Sequence, residues 1–308
     1  EKGDEVHDEV FRKGFVPEDI VLGTALVDMY AKCGTLVKAE EVFKKLPLRD
    51  IVSWNTLIAG YAQHGQGEEA LNCLSSMQRE GVSPNTVTFR CILNACSIIT
   101  DFEKGIEIHS EIEQKELLKM SQNLGNALVN MYAKYGMMEE AQNVFEKLPV
   151  QTLASWNALL AGYAEVGDSK NVYSVFDKIM RCESPDLITF VTILKACSHL
   201  GLVDEGYSLF NAMEAYSGLG PGPEHYSCFI DLFGRVGRID DLVILIERMP
   251  FHPSTVVWHT LLAGCRRWGV VKLARYAFQH IVCLNENYTT AYVCMLNICA
   301  ESALEDEN

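Results

Sequence analysis

The sequence has no long apolar run, no CxxC pair and few helix breakers. Across 308 residues there are 9 prolines and 22 glycines, which excludes collagen-like and low-complexity classes. No stretch approaches the roughly 18 to 20 apolar residues that a membrane span needs. The 11 cysteines are odd in number and lack metal or redox spacing. The closest pairs, Cys91 with Cys96 and Cys294 with Cys299, sit inside apolar, helix-like runs. Most of the cysteines therefore read as small buried hydrophobes in a reducing compartment. Basic residues are scarce too: 26 Lys and Arg face 41 Asp and Glu, a net charge of −15. Composition alone thus argues against a nucleic-acid partner, because phosphate binding draws on Lys and Arg. The acidic runs at 1–9, 111–116 and 301–307 read as solvated faces and tails. The chain starts at Glu1 without a signal or transit peptide, as expected of a mature or trimmed fragment.

What is present is repetition. ALVDMYAKCG at 25–34 recurs as ALVNMYAKYG at 127–136, and SWNTLIAGYAQHG at 53–65 recurs as SWNALLAGYAEVG at 155–167, both 102 residues later. TFRCILNACS at 88–97 recurs as TFVTILKACS after 101 residues, so one residue is lost between Gly167 and Pro185. The unit divides into segments 19–49, 50–84 and 85–120, of 31, 35 and 36 residues. Each segment reads as a helical hairpin. In 50–84, Trp54, Leu57, Ile58 and Tyr61 have i, i+3, i+4, i+7 spacing. His64-Gly65-Gln66-Gly67 breaks that helix. Ala70, Leu71, Leu74 and Met77 then share one face of a second helix, and Gly81 with Pro84 stops it. No strand-period alternation competes. A lone hairpin of this kind cannot bury both faces, so neighbours must stack into an α-solenoid, here expected to be one continuous all-α array.

At this point the phrases GTALVDMYAKCG, DIVSWNTLIAGYAQHGQGEEAL, GVSPNTVTF, ACSHLGLVDEGYSLF and GPEHYSCFIDLFGRVGRID resemble the plant pentatricopeptide repeat family over almost the whole chain. The family fold is a right-handed superhelix of helix-turn-helix repeats. The lengths 31, 35 and 36 resemble its PLS subclass of standard, long and short repeats. On that reading 1–18 ends a truncated long repeat. Segments 19–49, 121–151 and 222–253 are short, 50–84 and 152–185 standard, and 85–120 and 186–221 long. The stretch 254–299 resembles the tetratricopeptide-like, E-type extension of organelle RNA-editing factors, and 300–308 is an acidic tail.

The resemblance implies a single-stranded RNA partner and a set of reading residues. In the family, the fifth residue of the first helix and the last residue of the repeat read the Watson–Crick edge of one base. These pairs are Thr24 with Asp50, favouring G, and Asn55 with Asn85, favouring C or U. Asn126 with Thr152 favours a pyrimidine, and Asn157 with Asp186 favours U, whose N3–H an Asp can accept. Arg90 with Ser121 falls outside the code. Val191 with Gly222 and Ser227 with Ser254 imply weak or no readout. The expected target is 5′-G-Y-N-Y-U, with the N-terminus toward the RNA 5′ end. Second-position residues clamp the base faces: Val21, Val52, Val87, Ala154 and Ile188, with Asn123 and Ala154 departing from the aliphatic run. Taken alone, an Asn in a first helical turn is as readily a cap or turn residue. Its recurrence at 55, 126 and 157 in one frame favours the code. Trp54 and Trp156 lie on the apolar stripe and read as core.

Some relatives carry a C-terminal cytidine deaminase, whose zinc chemistry needs HxE followed by PCxxC. His109-Ser110-Glu111 fits the first half, but no PCxxC follows. No glycine-rich phosphate loop or nucleophile elbow occurs either. Neither enzymatic activity, a metal, a cofactor, a small-molecule substrate nor a membrane partner is expected. The resemblance implies a site-recognition adaptor for C-to-U editing of mitochondrial or chloroplast transcripts. Its E-like region would recruit editing-complex proteins or a deaminase in trans. Two alternatives remain. One is an RNA-binding solenoid in splicing, transcript stability or an organellar ribonucleoprotein such as the mitochondrial ribosome. The other is a protein scaffold like tetratricopeptide arrays, which hold a fixed period of about 34 residues where this chain alternates.

Overall fold

The computed structural model describes residues 19–182, 185–217 and 220–305. The N-terminal segment 1–18 and the last residues of the acidic tail lie outside that range. Among the described residues there are 17 α-helices, one 3-10 turn (Leu117–Lys119) and no strand. In chain order the hairpins are α1 (Ile20–Lys32) with α2 (Leu36–Lys44), α3 (Ile51–Gln63) with α4 (Gly67–Arg79), and α5 (Thr86–Ile99) with α6 (Phe102–Gln114). Next come α7 (Gln122–Lys134) with α8 (Met138–Lys147), α9 (Leu153–Glu165) with α10 (Ser169–Cys182), and α11 (Leu187–Leu200) with α12 (Val203–Ser217). Then follow α13 (Pro223–Val236) with α14 (Ile239–Glu247), α15 (Thr255–Arg267) with α16 (Val271–Leu284), and finally α17 (Thr289–Glu305). The fold is an all-α solenoid of stacked hairpins.

The residues form two compact units, 1–158 and 159–308. Within the first, α1, α3, α5 and α7 pack side by side in order, and α2 and α4 each also touch the first helix of the next hairpin. The second unit repeats this with α11, α13, α15 and α17 as the row of first helices. Such nearest-neighbour stacking lets every hairpin bury two faces.

The apolar spacing explains the helices. Trp54, Leu57, Ile58 and Tyr61 of α3 are buried, as are Ala70, Leu74 and Met77 of α4, while Leu71 is half-buried at the edge of its stripe. Trp54 packs edge-on against Phe43 at 4.6 Å, and Trp156 against Phe145 at 4.4 Å, so both tryptophans belong to the core. Each fully buried large side chain contributes roughly 1.5–3 kcal/mol.

First helices end in a left-handed turn. Gly65 has φ +76° and Gly201 has φ +69°; that region costs a non-glycine residue about 1–2 kcal/mol. The hairpin α5–α6 has no glycine there, and Thr100 takes φ 56° instead. The turns are also stapled to the preceding hairpin by side chains. His64 Nε2 donates to the Ala31 carbonyl at 2.7 Å, the Tyr135 hydroxyl to Asp101 at 2.9 Å, and Trp268 Nε1 to Gly234 at 2.9 Å. In the second unit α13 and α15 approach so closely that a Cβ on Gly264 would lie 3.1 Å from the Gly234 Cα.

The cysteines depart from expectation. Only Cys91, Cys96, Cys197, Cys228 and Cys265 are buried, and Cys33, Cys182, Cys283 and Cys299 are exposed. Cys33, Cys182 and Cys283 lie at the C-terminal ends of their helices, and Cys299 lies inside α17. Burial pushes the Cys96, Cys197 and Cys265 thiols up to about 12, which keeps them protonated and inert. Among the described residues no helix is long and apolar enough to cross a membrane.

Candidate nucleic-acid interface

Capping sets the site. The residue before each first helix is Asp19, Asp50, Asn85, Ser121, Asp186, Gly222 or Ser254 where a cap is defined. These are the residue types that satisfy orphan amides at a helix start. Asp50 Oδ1 accepts from the Ser53 amide at 2.8 Å. Asp186 Oδ1 accepts from the Thr189 amide and hydroxyl, both at 2.8 Å. Asn85 Oδ1 takes the Val87 and Thr88 amides at 3.0 Å, and Thr88 Oγ1 accepts in return from the Asn85 amide at 3.1 Å, a reciprocal box. The caps are therefore the last-position residues of the expected pairs. The fifth-position Asn55, Asn126 and Asn157 lie inside their helices and cap nothing at their starts.

Two of the four pairs are joined directly. Asn55 Nδ2 donates to Asn85 Oδ1 at 3.2 Å, while the Thr88 hydroxyl donates to Asn55 Oδ1 at 2.6 Å. Asn126 Nδ2 donates to Thr152 Oγ1 at 3.2 Å, and Gln122 Nε2 reaches both Asn126 Oδ1 and the Val150 carbonyl. Thr152 Oγ1 also accepts from the Ser155 amide at 3.4 Å. Thr24 is half-buried, and among the described residues no hydrogen bond joins it to Asp50. Asn157 is buried, with its Oδ1 unpaired; Asp186 belongs to the second unit.

The second-position residues stand out of the core. Val21 is 79%, Val52 57%, Val87 42% and Ile188 65% exposed, and Asn123 and Ala154 are exposed too. Val52, Asn55, Asn85 and Val87 line one groove of about 380 Å³ between α1, α3 and α5, together with Lys32 and Arg90. The bonded amide pair thus shares its groove with two exposed aliphatic side chains, with Arg90 and with Lys32, which is paired to Asp28 at 2.6 Å.

Thr88 and Arg90 are site residues that the sequence reading did not single out for the Asn55 position. The signal for Thr88 was the Asn-x-x-Thr spacing of a capping box. Elsewhere the surroundings are less open. Val191 is buried, and Gly222 donates its amide to His225 Nδ1. Ser227 is bonded back to the Pro223 carbonyl. Ser121 and Ser254 make no side-chain cap bond.

The HxE triplet is occupied by other work. His109 Nδ1 lies 2.7 Å from the Tyr132 hydroxyl, and Lys115 pairs with Glu111 at 2.6 Å. Burial lowers the His109 pKa, against the opposing pull of Glu113. Among the described residues no group of three or more potential ligands could hold a metal ion.

Comparison with known proteins agrees with this architecture. Family models match in sequence order: "PPR repeat" over residues 24–51, 126–150 and 188–217, "PPR repeat family" over 49–97, and "Pentatricopeptide repeat domain" over 151–199. The chain belongs to the pentatricopeptide repeat family. A chloroplastic pentatricopeptide repeat-containing protein of Arabidopsis thaliana, CRR2, is 38% identical over 99% of this chain and 47% of its own length. A putative mitochondrial pentatricopeptide repeat-containing protein of the same plant is 36% identical over 97% of this chain and 48% of its own. The chain spans less than two thirds of the length of the curated relatives it matches. Among solved structures, the pentatricopeptide repeat protein PPR10 in complex with an 18-nt psaJ RNA element aligns with a TM-score of 0.70. That alignment has 20% identity and covers 99% of this chain and 48% of that one. A tetratricopeptide repeat protein from Parabacteroides merdae aligns at 0.51, with 13% identity over 80% of this chain and 97% of that one.

Proposed function

We propose that this pentatricopeptide repeat chain binds single-stranded RNA in a sequence-specific manner and serves as an adaptor on organelle transcripts. The observation that carries this reading is the Asn55–Asn85 pair, bonded at 3.2 Å between the exposed Val52 and Val87. A base inserted there stacks on aliphatic carbons and meets amides able to donate and accept, which suits a pyrimidine edge. Arg90 on the same groove is available to a phosphate, while Lys32 is shared with Asp28. Support also comes from PPR10, solved with an RNA element.

In this reading the pairs Thr24/Asp50, Asn55/Asn85, Asn126/Thr152 and Asn157/Asp186 select 5′-G-Y-N-Y-U. The finer role is site recognition for C-to-U editing in a mitochondrion or chloroplast. The PLS-like lengths and the 254–299 extension support it, and the deaminase comes in trans. Relatives named as chloroplastic and mitochondrial support the location. The net charge of −15 implies modest unaided affinity, a shallow salt dependence and help from partner proteins.

Selection from a random single-stranded RNA pool tests the reading: a motif near G-Y-N-Y-U is expected, and flat enrichment overturns it. Asn157→Thr with Asp186→Asn should move the preference at that one position from U toward a purine. Transcript sequencing after loss of the protein separates editing from splicing, stability or ribosomal roles.

A further inference from the structure

The cap of α5 fixes which atoms of the Asn55–Asn85 pair are left for a base. Asn85 Oδ1 accepts from the Val87 and Thr88 amides, both at 3.0 Å, and from Asn55 Nδ2 at 3.2 Å. An amide oxygen has two lone pairs, so this one is fully engaged, and the amide cannot be turned over without losing the cap. Its Nδ2 is the atom left over, used by no hydrogen bond among the described residues.

Asn55 is oriented in turn. Toward Asn85 Oδ1 it must present Nδ2, because its own oxygen there would set two acceptors against each other. Its Oδ1 then meets the Thr88 hydroxyl, which lies 2.6 Å from it and 3.1 Å from Asn85 Oδ1. Thr88 is buried and is absent from the lining of the groove that Val52, Asn55, Asn85 and Val87 share. Asp186 has the same cap and the opposite remainder. Its Oδ1 takes the Thr189 amide and hydroxyl at 2.8 Å, so what is left is a carboxylate oxygen, an acceptor. Equivalent caps thus leave a donor in one repeat and an acceptor in the other. Pyrimidines differ on their Watson–Crick edge in the matching way, since N3 of cytosine accepts and N3 of uracil carries a hydrogen.

We propose that the Asn55–Asn85 pair presents donors and selects cytosine over uracil, and that Thr88 is the positioning residue that keeps it so by holding Asn55 Oδ1 away from the base. The proposal rests on the RNA-binding reading above and narrows its second position from Y to C. Without the hydroxyl, Asn55 Oδ1 lacks that donor, and the N3–H of uracil can supply one.

The test is competition binding of the chain to RNAs that carry G-C-A-C-U or G-U-A-C-U in the same flanks. Cytosine should be preferred about tenfold, the cost of setting donor against donor. Replacing that cytosine by 3-deazacytidine, which puts a C–H where N3 stood, should lose about the same factor with the protein unchanged. Thr88→Val keeps the shape and removes the hydroxyl; the preference should fall below about threefold, mainly through tighter binding of the uracil RNA, and Thr88→Ser should retain it. Thr189→Val removes the corresponding hydroxyl from the cap of α11 and should leave the second-position preference unchanged, which separates positioning from general loss of a cap. Equal binding of the cytosine and uracil RNAs, with purines there rejected, overturns this inference and leaves the RNA-binding reading standing. A tenfold preference that survives Thr88→Val overturns the role of Thr88. Full binding of the 3-deazacytidine RNA overturns donor presentation, and that result does not depend on any variant folding. Failure of both RNAs to bind better than a scrambled one overturns the inference together with the RNA-binding reading.

Discussion

The repeats 50–84 and 152–185 share the phrase Ser-Trp-Asn, yet their asparagines live in different surroundings. Asn55 is half-buried, bonded through Nδ2 to Asn85 and through Oδ1 to the Thr88 hydroxyl. Asn157 is buried and its Oδ1 has no partner. The caps themselves are alike: Asn85 Oδ1 takes the amide and hydroxyl of Thr88, and Asp186 Oδ1 takes the amide and hydroxyl of Thr189. The partners of Asn55 lie about one repeat away, outside the phrase the two segments share.

The largest effect should come from the part the two repeats hold in common. Trp54→Ala and Trp156→Ala each remove an edge-packed indole and should cost about 3–5 kcal/mol, read as the shift in a denaturant midpoint. A marked inequality would mean that the two apolar frames are not equivalent. Next is the part that differs. Asn85→Asp keeps a good cap and makes the first pair resemble the second. It should shift base preference at that position toward U by about tenfold, about 1.4 kcal/mol, in competition binding with C- and U-containing RNAs. No shift would detach Asn85 from readout and leave it as a cap. The smallest concerns the hairpins α5–α6 and α11–α12, in which Thr100 and Gly201 end equivalent helices at φ 56° and +69°. Thr100→Gly should raise thermal stability by up to about 1 kcal/mol, relief of left-handed strain offset by the greater entropy of glycine in the unfolded chain.

Much of the fold was legible because its determinants are local. Apolar spacing in Trp54, Leu57, Ile58 and Tyr61 and the breakers at Gly65 and Pro84 act within a few residues. The outward valines at 21, 52 and 87 came from the family resemblance, which marks the second position of each first helix. Three things were not. The Thr88 hydroxyl bridges Asn55 to the cap through its rotamer. The staples from His64, Tyr135 and Trp268 reach carbonyls more than thirty residues earlier, and three chemically unlike side chains serve one geometric role. The exposure of Cys33, Cys182, Cys283 and Cys299 depends on where each helix turns relative to its neighbour, to which a small residue is nearly indifferent.

The same side chain that starts a helix stands at the proposed reading position, and this limits the vocabulary available to it. Of the twenty amino acids, those that close a helix start well are Asn, Asp, Ser, Thr and Gly, and replacing one by Ala costs about 1 kcal/mol. A change of target written at positions 50, 85, 152 or 186 is cheap within that small set and accumulates instability outside it. The fifth positions, which start no helix, are under no such restriction. Divergence in what such a chain recognises should therefore be written more freely in the helix interiors than at their beginnings, and an engineer rewriting several repeats at once would meet a folding limit at the caps first.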